Sequence, residues 1–308
     1  MSSELRPLVF VVGPTAAGKS ALALDLALRH GGEIVNGDSM QVYRGFDIGT
    51  DKPSAGDRAR VPHHLIDVVD AATQFTAADF AALALEAVEG IGRRGRFPLV
   101  AGGTGLYFKA LEEGLFPGPG RDDALRRRFE EEARTSGVEA LWRRLETVDP
   151  AAAARTGRRD KVRIVRALEV QALTGVPLSE HFRRTRGNLA GFRVGKFGIL
   201  RPREELVRRI DERTERIFAR GLVGEVEGLL ARGVPETAPP FRALGYPNVL
   251  LHLRGEIGLR EAIERTKAET RQYAKRQMTW FRKMRGVVWG GPEETASAFD
   301  LWIRQGKG

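Results

Sequence analysis

The chain has 308 residues, 42% of them apolar and 29% charged, with 36 glycines and no cysteine. That length can bury one large core or two linked ones, the composition is that of a folded α/β protein rather than a disordered one, and disulfides and thiolate metal sites are excluded. The net charge of +10 favours a polyanionic partner and is unevenly spread: residues 151–186 hold nine Lys/Arg against three Asp/Glu, and residues 264–285 hold eight against two. Two solvated helix faces are the alternative source of such a pattern.

Met1-Ser2-Ser3-Glu4-Leu5-Arg6-Pro7 leads into only five consecutive apolar residues, so neither a signal peptide nor a membrane span is expected, and a cytoplasmic location is. Those five, Leu8-Val9-Phe10-Val11-Val12, read as a buried strand. Gly13-Pro14-Thr15-Ala16-Ala17-Gly18-Lys19-Ser20 follows, and then the helical run 21–28. Strand, loop and helix in this order are the context a phosphate-binding loop requires. Gly13 and Gly18 let the backbone curl until its N–H groups and a helix N-terminus face phosphate oxygens, and the Lys19 ammonium reaches the outer phosphate. Ser20 supplies a hydroxyl suited to Mg²⁺. A glycine-rich turn with no ligand is the alternative, and the loop alone does not say which phosphate compound is bound.

Residues 33–36 read as a second strand, ending at Gly37-Asp38-Ser39. Asp38 could orient a metal-bound water, act as a general base, or merely cap a helix. In Pro62-His63-His64-Leu65-Ile66-Asp67 the histidine pair lacks a third ligand and reads as structural or surface, and Asp67 is a weak metal-holding candidate. Residues 75–90 read as a crossover helix, and Phe97-Pro98-Leu99-Val100-Ala101 as a strand entering Gly102-Gly103-Thr104-Gly105. Strands alternating with helices imply a parallel sheet with its ligand at the carboxyl ends of the strands, where Gly13, Asp38 and Gly102 fall.

At Phe116-Pro117-Gly118-Pro119-Gly120 the texture changes to Arg-, Glu- and Ala-rich helical sequence, so three segments are expected: a core 1–116, a helical insertion 117–192, and the resumed core 193–308. The last contains a strand near 196–200, helices near 203–220 and 260–284, and a final strand at 287–289. Arg209, Arg213 and Arg216 share a helix face and could clamp a leaving phosphate or pair with Asp211 and Glu215. Trp280 and Phe281, at helical spacing from Tyr273 and Met278, read as core before they read as a base-stacking platform. No Asn-Lys-x-Asp guanine-reading motif occurs.

Taken in order, the motifs resemble the tRNA dimethylallyltransferase (tRNA isopentenyltransferase) family. They are the phosphate loop; Asp38-Ser39-Met40-Gln41-Val42-Tyr43-Arg44-Gly45-Phe46-Asp47-Ile48-Gly49-Thr50; Pro62-His63-His64-Leu65-Ile66-Asp67; Gly102-Gly103-Thr104-Gly105-Leu106-Tyr107; Arg166-Ala167-Leu168-Glu169; Gly245-Tyr246; and Thr270-Arg271-Gln272-Tyr273-Ala274-Lys275-Arg276-Gln277-Met278-Thr279-Trp280. Asn36-Gly37, Arg159 and Pro247 depart from the family's usual pattern.

The resemblance implies a P-loop NTPase-like parallel sheet with an inserted all-helical tRNA-binding domain. It also implies transfer of a dimethylallyl group from dimethylallyl diphosphate to N6 of adenosine 37 in tRNA, with Mg²⁺ as cofactor and a monomer as the acting form. By the same resemblance, residues 13–20 (Gly13, Pro14, Thr15, Ala16, Ala17, Gly18, Lys19, Ser20) hold the diphosphate, Ser20 the metal, Asp38 accepts the N6 proton, and Arg213 neutralises the departing diphosphate. Asp38, Ser39, Met40, Gln41, Thr104, Arg126, Val162, Arg163 and Arg166 contact the tRNA, those in the basic insertion gripping the anticodon stem-loop. A nucleoside or nucleotide kinase shares the phosphate loop and the strand-end aspartate but leaves the basic insertion unexplained, and a nucleic-acid-binding ATPase is the third class.

Overall fold

The computed structural model describes residues 5–116 and 118–306. The N-terminal lead up to Glu4 and the linker residue Pro117 lie outside the described residues. The chain divides into two units, one made of Met1–Glu112 with Leu189–Gly308 and the other of Glu113–Asn188.

The first unit is built on six parallel strands, β1 (Arg6–Val12), β2 (Gly32–Asn36), β3 (His63–His64), β4 (Phe97–Ala101), β5 (Phe192–Ile199) and β6 (Val287–Gly290), in the order β3-β2-β4-β1-β5-β6. Leu8 to Val12 are fully buried, which is why β1 reads as an unbroken apolar run: helices cover both faces of a parallel sheet. On one face Phe80, Ala84 and Val88 of helix Ala77–Arg93 pack with Tyr107, Phe108 and Phe281. On the other, Leu22, Ala23 and Leu26 of helix Lys19–His30 pack with Phe299 and Ile303 of helix Pro292–Gln305. Thr76 and Asp79 form a capping box at the start of the crossover helix, fixing its entry two residues later than expected.

Strand β5 starts at Phe192, earlier than the 196 expected, and pairs with β1 over seven residues from Arg6↔Phe192 to Val12↔Gly198. Arg193 hid this extension in the sequence: its guanidinium lies 3.8 Å from the ring centre of Trp302, on helix Pro292–Gln305, and donates to that residue's carbonyl at 3.0 Å. Helix Pro292–Gln305 was not expected at all. A third cluster gathers Val42, Tyr43 and Phe46 with Leu222, Val226, Tyr246 and Val249 from helices Leu222–Ala231 and Tyr246–Leu253. Pro247 lies in the first turn of the latter helix, where no N–H is needed.

The second unit is all helical: Asp123–Ser136, Val138–Val148, Pro150–Arg155, Lys161–Thr174 and Leu178–Arg184 enclose Phe129, Leu141, Leu145, Ile164 and Leu168. Asp122, Asp149 and Asp160 each accept a backbone N–H at a helix start, so three carboxylates in this basic segment serve as caps. Among the described residues no helix is long and apolar enough to cross a membrane.

Candidate active site

At the carboxyl ends of β1, β2 and β4 lies a cavity of about 360 Å³, lined among others by Thr15, Lys19, Ser20, Asp38, Gln41 and Arg213. The loop between β1 and helix Lys19–His30 turns through Gly13 (φ 143°), Ala16 (φ 62°) and Gly18 (φ 105°). A side chain at Gly13 would meet the Ile199 carbonyl oxygen at 3.1 Å, so glycine here permits both the turn and the close approach of β5. Ala16 holds a left-handed conformation that ordinary residues rarely adopt. Its carbonyl accepts from Arg209 Nε at 2.8 Å, and the Ala17 carbonyl accepts from Arg201 Nε at 3.0 Å.

Lys19 Nζ donates to the Pro14 carbonyl at 2.7 Å. Desolvation in the cavity lowers its ammonium to about 8 against the opposing pull of Asp38, with the Arg213 charge adding to the fall. Arg213 donates to Asp51 at 2.8 Å and to the Thr15 hydroxyl at 3.3 Å, while Arg209 and Arg216 also line the cavity. The arginine face therefore turns to the phosphate loop and not to Asp211 or Glu215, which bind Arg271 and Lys267.

Asp38 does not cap a helix. Its Oδ1 accepts the Met40 N–H at 2.8 Å in a local turn, and its own N–H donates to the buried Asn36 amide oxygen at 3.1 Å. Asn36 also donates to the Leu65 carbonyl, so this departure from the family pattern anchors the turn. Gly37 and Gly102 pass so close that a Cβ on Gly102 would lie 2.2 Å from Gly37 backbone atoms. Thr104 Oγ1 accepts the Ser39 N–H at 3.0 Å, and the Gln41 amide donates to the Thr50 and Asp51 carbonyls at 3.0 and 3.3 Å.

Asp51 pairs with Arg213 and with Arg220 at 2.9 Å. The loop that carries it is held by Glu225, whose carboxylate accepts the N–H groups of Asp47, Ile48 and Gly49 at 2.8, 2.6 and 3.2 Å and the Tyr246 hydroxyl at 2.6 Å. This explains two motifs at once: Gly49 has no room for a Cβ against the Tyr246 ring, and Tyr246 fixes the carboxylate. Asp67 is not a metal ligand candidate here, since Lys52 and Arg58 take its two oxygens at 2.5 and 2.9 Å. His64 binds Glu33 at 2.7 Å, and His63 borders the cavity with Nδ1 on the Val61 carbonyl. Phe281 is core as expected, but Trp280 is 37% exposed and lies over Gly105, whose Cβ would fall 2.1 Å from the indole.

The IPP transferase family matches residues 41–284 and the isopentenyl transferase family residues 7–63. The chain is 55% identical over 286 residues to the tRNA dimethylallyltransferase of Geobacter metallireducens, covering 93% of each, and 48% identical over 300 residues to that of Solibacter usitatus, covering 96% and 97%. The chain belongs to the IPP transferase family. Among solved structures, the tRNA isopentenylpyrophosphate transferase of Bacillus halodurans matches with a TM-score of 0.72 at 37% identity, covering 98% and 96% of the two chains. A eukaryotic dimethylallyltransferase acting on tRNA matches with 0.78 at 28% identity, covering 97% and 79%.

In this IPP transferase, the helical unit holds the remaining sequence candidates. Val162 is 76% exposed, and the Arg163 side chain 65% exposed beside Asp160. Arg126 and Arg166 lie differently: both bind the fully buried Glu169, Arg126 through two bonds of 2.8 and 2.9 Å and Arg166 through one of 2.7 Å. Burial pushes the Glu169 carboxyl up, but the bonds from Arg126, Arg166 and the Asp122 N–H outweigh it and hold it at about 2. Replacing Glu169 with alanine removes the shared acceptor of two part-exposed arginines and is expected to cost about 2–3 kcal/mol, read as an earlier denaturant midpoint. An unchanged midpoint would remove Glu169 as the organiser of this unit.

Proposed function

We propose that the cavity transfers a dimethylallyl group from dimethylallyl diphosphate to N6 of adenosine 37 in the anticodon stem-loop of tRNA. The allylic carbon–oxygen bond breaks, the N6–carbon bond forms, the N6 proton passes to Asp38, and diphosphate leaves with the electron pair. The observation that carries this reading is one cavity holding both a phosphate loop ringed by Lys19, Arg209 and Arg213 and a carboxylate, Asp38, with one oxygen engaged by Met40. The cationic groups neutralise charge as it builds on the leaving diphosphate, and the carboxylate takes the proton of a weakly nucleophilic aromatic amine.

The oxygen donors at the cavity include the Ser20 hydroxyl and the Asp38 carboxylate, and among the described residues no group of three or more His, Asp or Glu could hold a metal by itself. Oxygen donors of this kind suit Mg²⁺, a hard cation that keeps waters and shares phosphate oxygens. Ser20 would hold it, and when bound it supplies further neutralisation of the diphosphate.

Gln41 lines the cavity, Ser39, Met40 and Thr104 belong to the hydrogen-bonded turn around Asp38, and in this reading all four meet an adenosine that has been extruded from a stacked loop. Val162 and Arg163 present the binding face of the helical unit. Arg126 and Arg166, oriented by Glu169, contact the tRNA in this reading, and Arg126 also ties helix Asp123–Ser136 to helix Lys161–Thr174. Replacing Arg163 with alanine is expected to weaken tRNA binding a few-fold and to reduce the salt slope by about one, with turnover at saturating tRNA retained. A filter-binding series across salt concentrations measures it, and an unaltered slope would take Arg163 out of the interface. The protein acts as a cytoplasmic monomer in this reading.

Incubation with Mg²⁺, unmodified tRNA and radiolabelled dimethylallyl diphosphate, beside a parallel reaction with labelled ATP, tests the function. Label entering tRNA from the prenyl donor is the expected result. Phosphate released or transferred from ATP, with no prenyl transfer, would replace this reading with a kinase or ATPase.

A further inference from the structure

We infer that Gln277 is a positioning residue that ties the diphosphate loop to the acceptor loop and so fixes the distance across which the prenyl group moves. The inference rests on the transferase reading above. Gln277 projects from helix Leu259–Phe281, is 6% exposed and borders the cavity. Its amide is used at both ends: Oε1 accepts the Thr15 N–H at 2.8 Å, and Nε2 donates to the Gly103 carbonyl at 2.9 Å. A Cβ at position 103 would lie 2.3 Å from Gln277 Nε2, so a larger residue there would displace the amide from this bridge.

Thr15 belongs to the phosphate loop, so one end of this bridge sets the half of the site that holds the leaving group. The other end sets the half that holds the nucleophile. Gly103 is followed by Thr104, whose N–H donates to the Gly37 carbonyl at 3.2 Å and whose hydroxyl accepts the Ser39 N–H. Asp38 lies between those two residues. Four hydrogen bonds thus link Thr15 through Gln277 to the turn that carries the base, Gln277 spanning the phosphate loop and the 102–104 loop and Thr104 spanning that loop and the 37–39 turn. Group transfer is sensitive to such a span, since a displacement of about 1 Å at the reacting atoms costs on the order of 100-fold in rate. The amide is also the required chemistry: a carboxylate would meet the Gly103 carbonyl with two acceptors, and an apolar chain would bond neither loop.

The test is Gln277→Met, which keeps length and packing and removes both bonds, measured in the full-length protein by single-turnover prenyl transfer, by anticodon stem-loop affinity and by titration with inorganic diphosphate. The expected result is a transfer rate at least about tenfold lower and diphosphate affinity about tenfold weaker, with stem-loop affinity within twofold of wild type. A wild-type transfer rate would overturn the inference, as a purely space-filling role predicts. Should the Met variant not fold, Gln277→Glu, which keeps the acceptor for Thr15 and loses only the donor to Gly103, is measured in the same way: a transfer rate at least about tenfold lower supports the bridge, and a wild-type rate overturns it. Should the wild-type protein itself transfer no prenyl group, the functional reading falls, and diphosphate affinity alone decides Gln277: weaker in the variant supports the bridge, equal affinity refutes it.

Discussion

Replacing Asp38 with alanine is expected to lower the turnover number by about 10² to 10⁴-fold, the range over which a positioned general base contributes, while tRNA affinity stays within a few-fold. The geometry separates the two effects. Asp38 Oδ1 is occupied by the Met40 N–H, so the substitution also loosens one turn, but that turn is held from outside by Asn36, by Gly37 on Ala101, and by Ser39 on Thr104. Asparagine in place of Asp38 retains the acceptor for Met40 and removes only the basicity. An Asn variant as slow as the Ala variant therefore assigns the loss to proton transfer. Near-normal turnover in either would end the general-base assignment.

Lys19→Ala is expected to lower the turnover number by roughly 10² to 10³-fold, the loss seen when a group aimed at developing negative charge is deleted. The wild-type protein carries a second signature of the same group. With the ammonium lowered to about 8, Lys19 is charged below that pH and neutral above it, so kcat/KM for the prenyl diphosphate falls as pH rises through about 8. A bound diphosphate favours the charged form, so kcat alone falls at higher pH. Stability moves the other way. A lysine ordinarily near 10.5 in the unfolded chain and lower when folded imposes its full cost below pH 8, and that cost is relieved between pH 8 and about 10.5. The Lys19→Ala protein lacks both trends. A kcat/KM profile that falls identically in the variant would assign the titration to another group.

How much of this was legible in the sequence depended on whether the signal was local. The phosphate loop, Asp38 at a strand end, and the shared face of Arg209, Arg213 and Arg216 are set by neighbours within a few residues, where spacing alone locates them. Arg201 on Ala17, Asp51 under Arg213, and Glu225 on the loop 47–49 carry no such signal, because the partners are separated by 184, 162 and 176 to 178 residues. The motifs around Gly49 and Tyr246 were visible as motifs, but their reason, a carboxylate shared between them, required the fold. Trp280 and Phe281 show a different limit: adjacent aromatics on a helix point to different sides, and only Phe281 reaches the core.

Strand β1, the most apolar run in the chain, finds one of its two neighbours only after the helical unit has been threaded between them. A chain interrupted before Phe192 would therefore present β1 as a bare edge, with a row of unpaired backbone groups flanked by Leu8, Phe10 and Val12, the feature that recruits other strands and starts aggregation. During synthesis the same interval separates the emergence of the phosphate loop from the emergence of the strand and the arginines that complete it. The helical unit, with its own core and caps, can fold in that interval, whereas the sheet must wait for its C-terminal half.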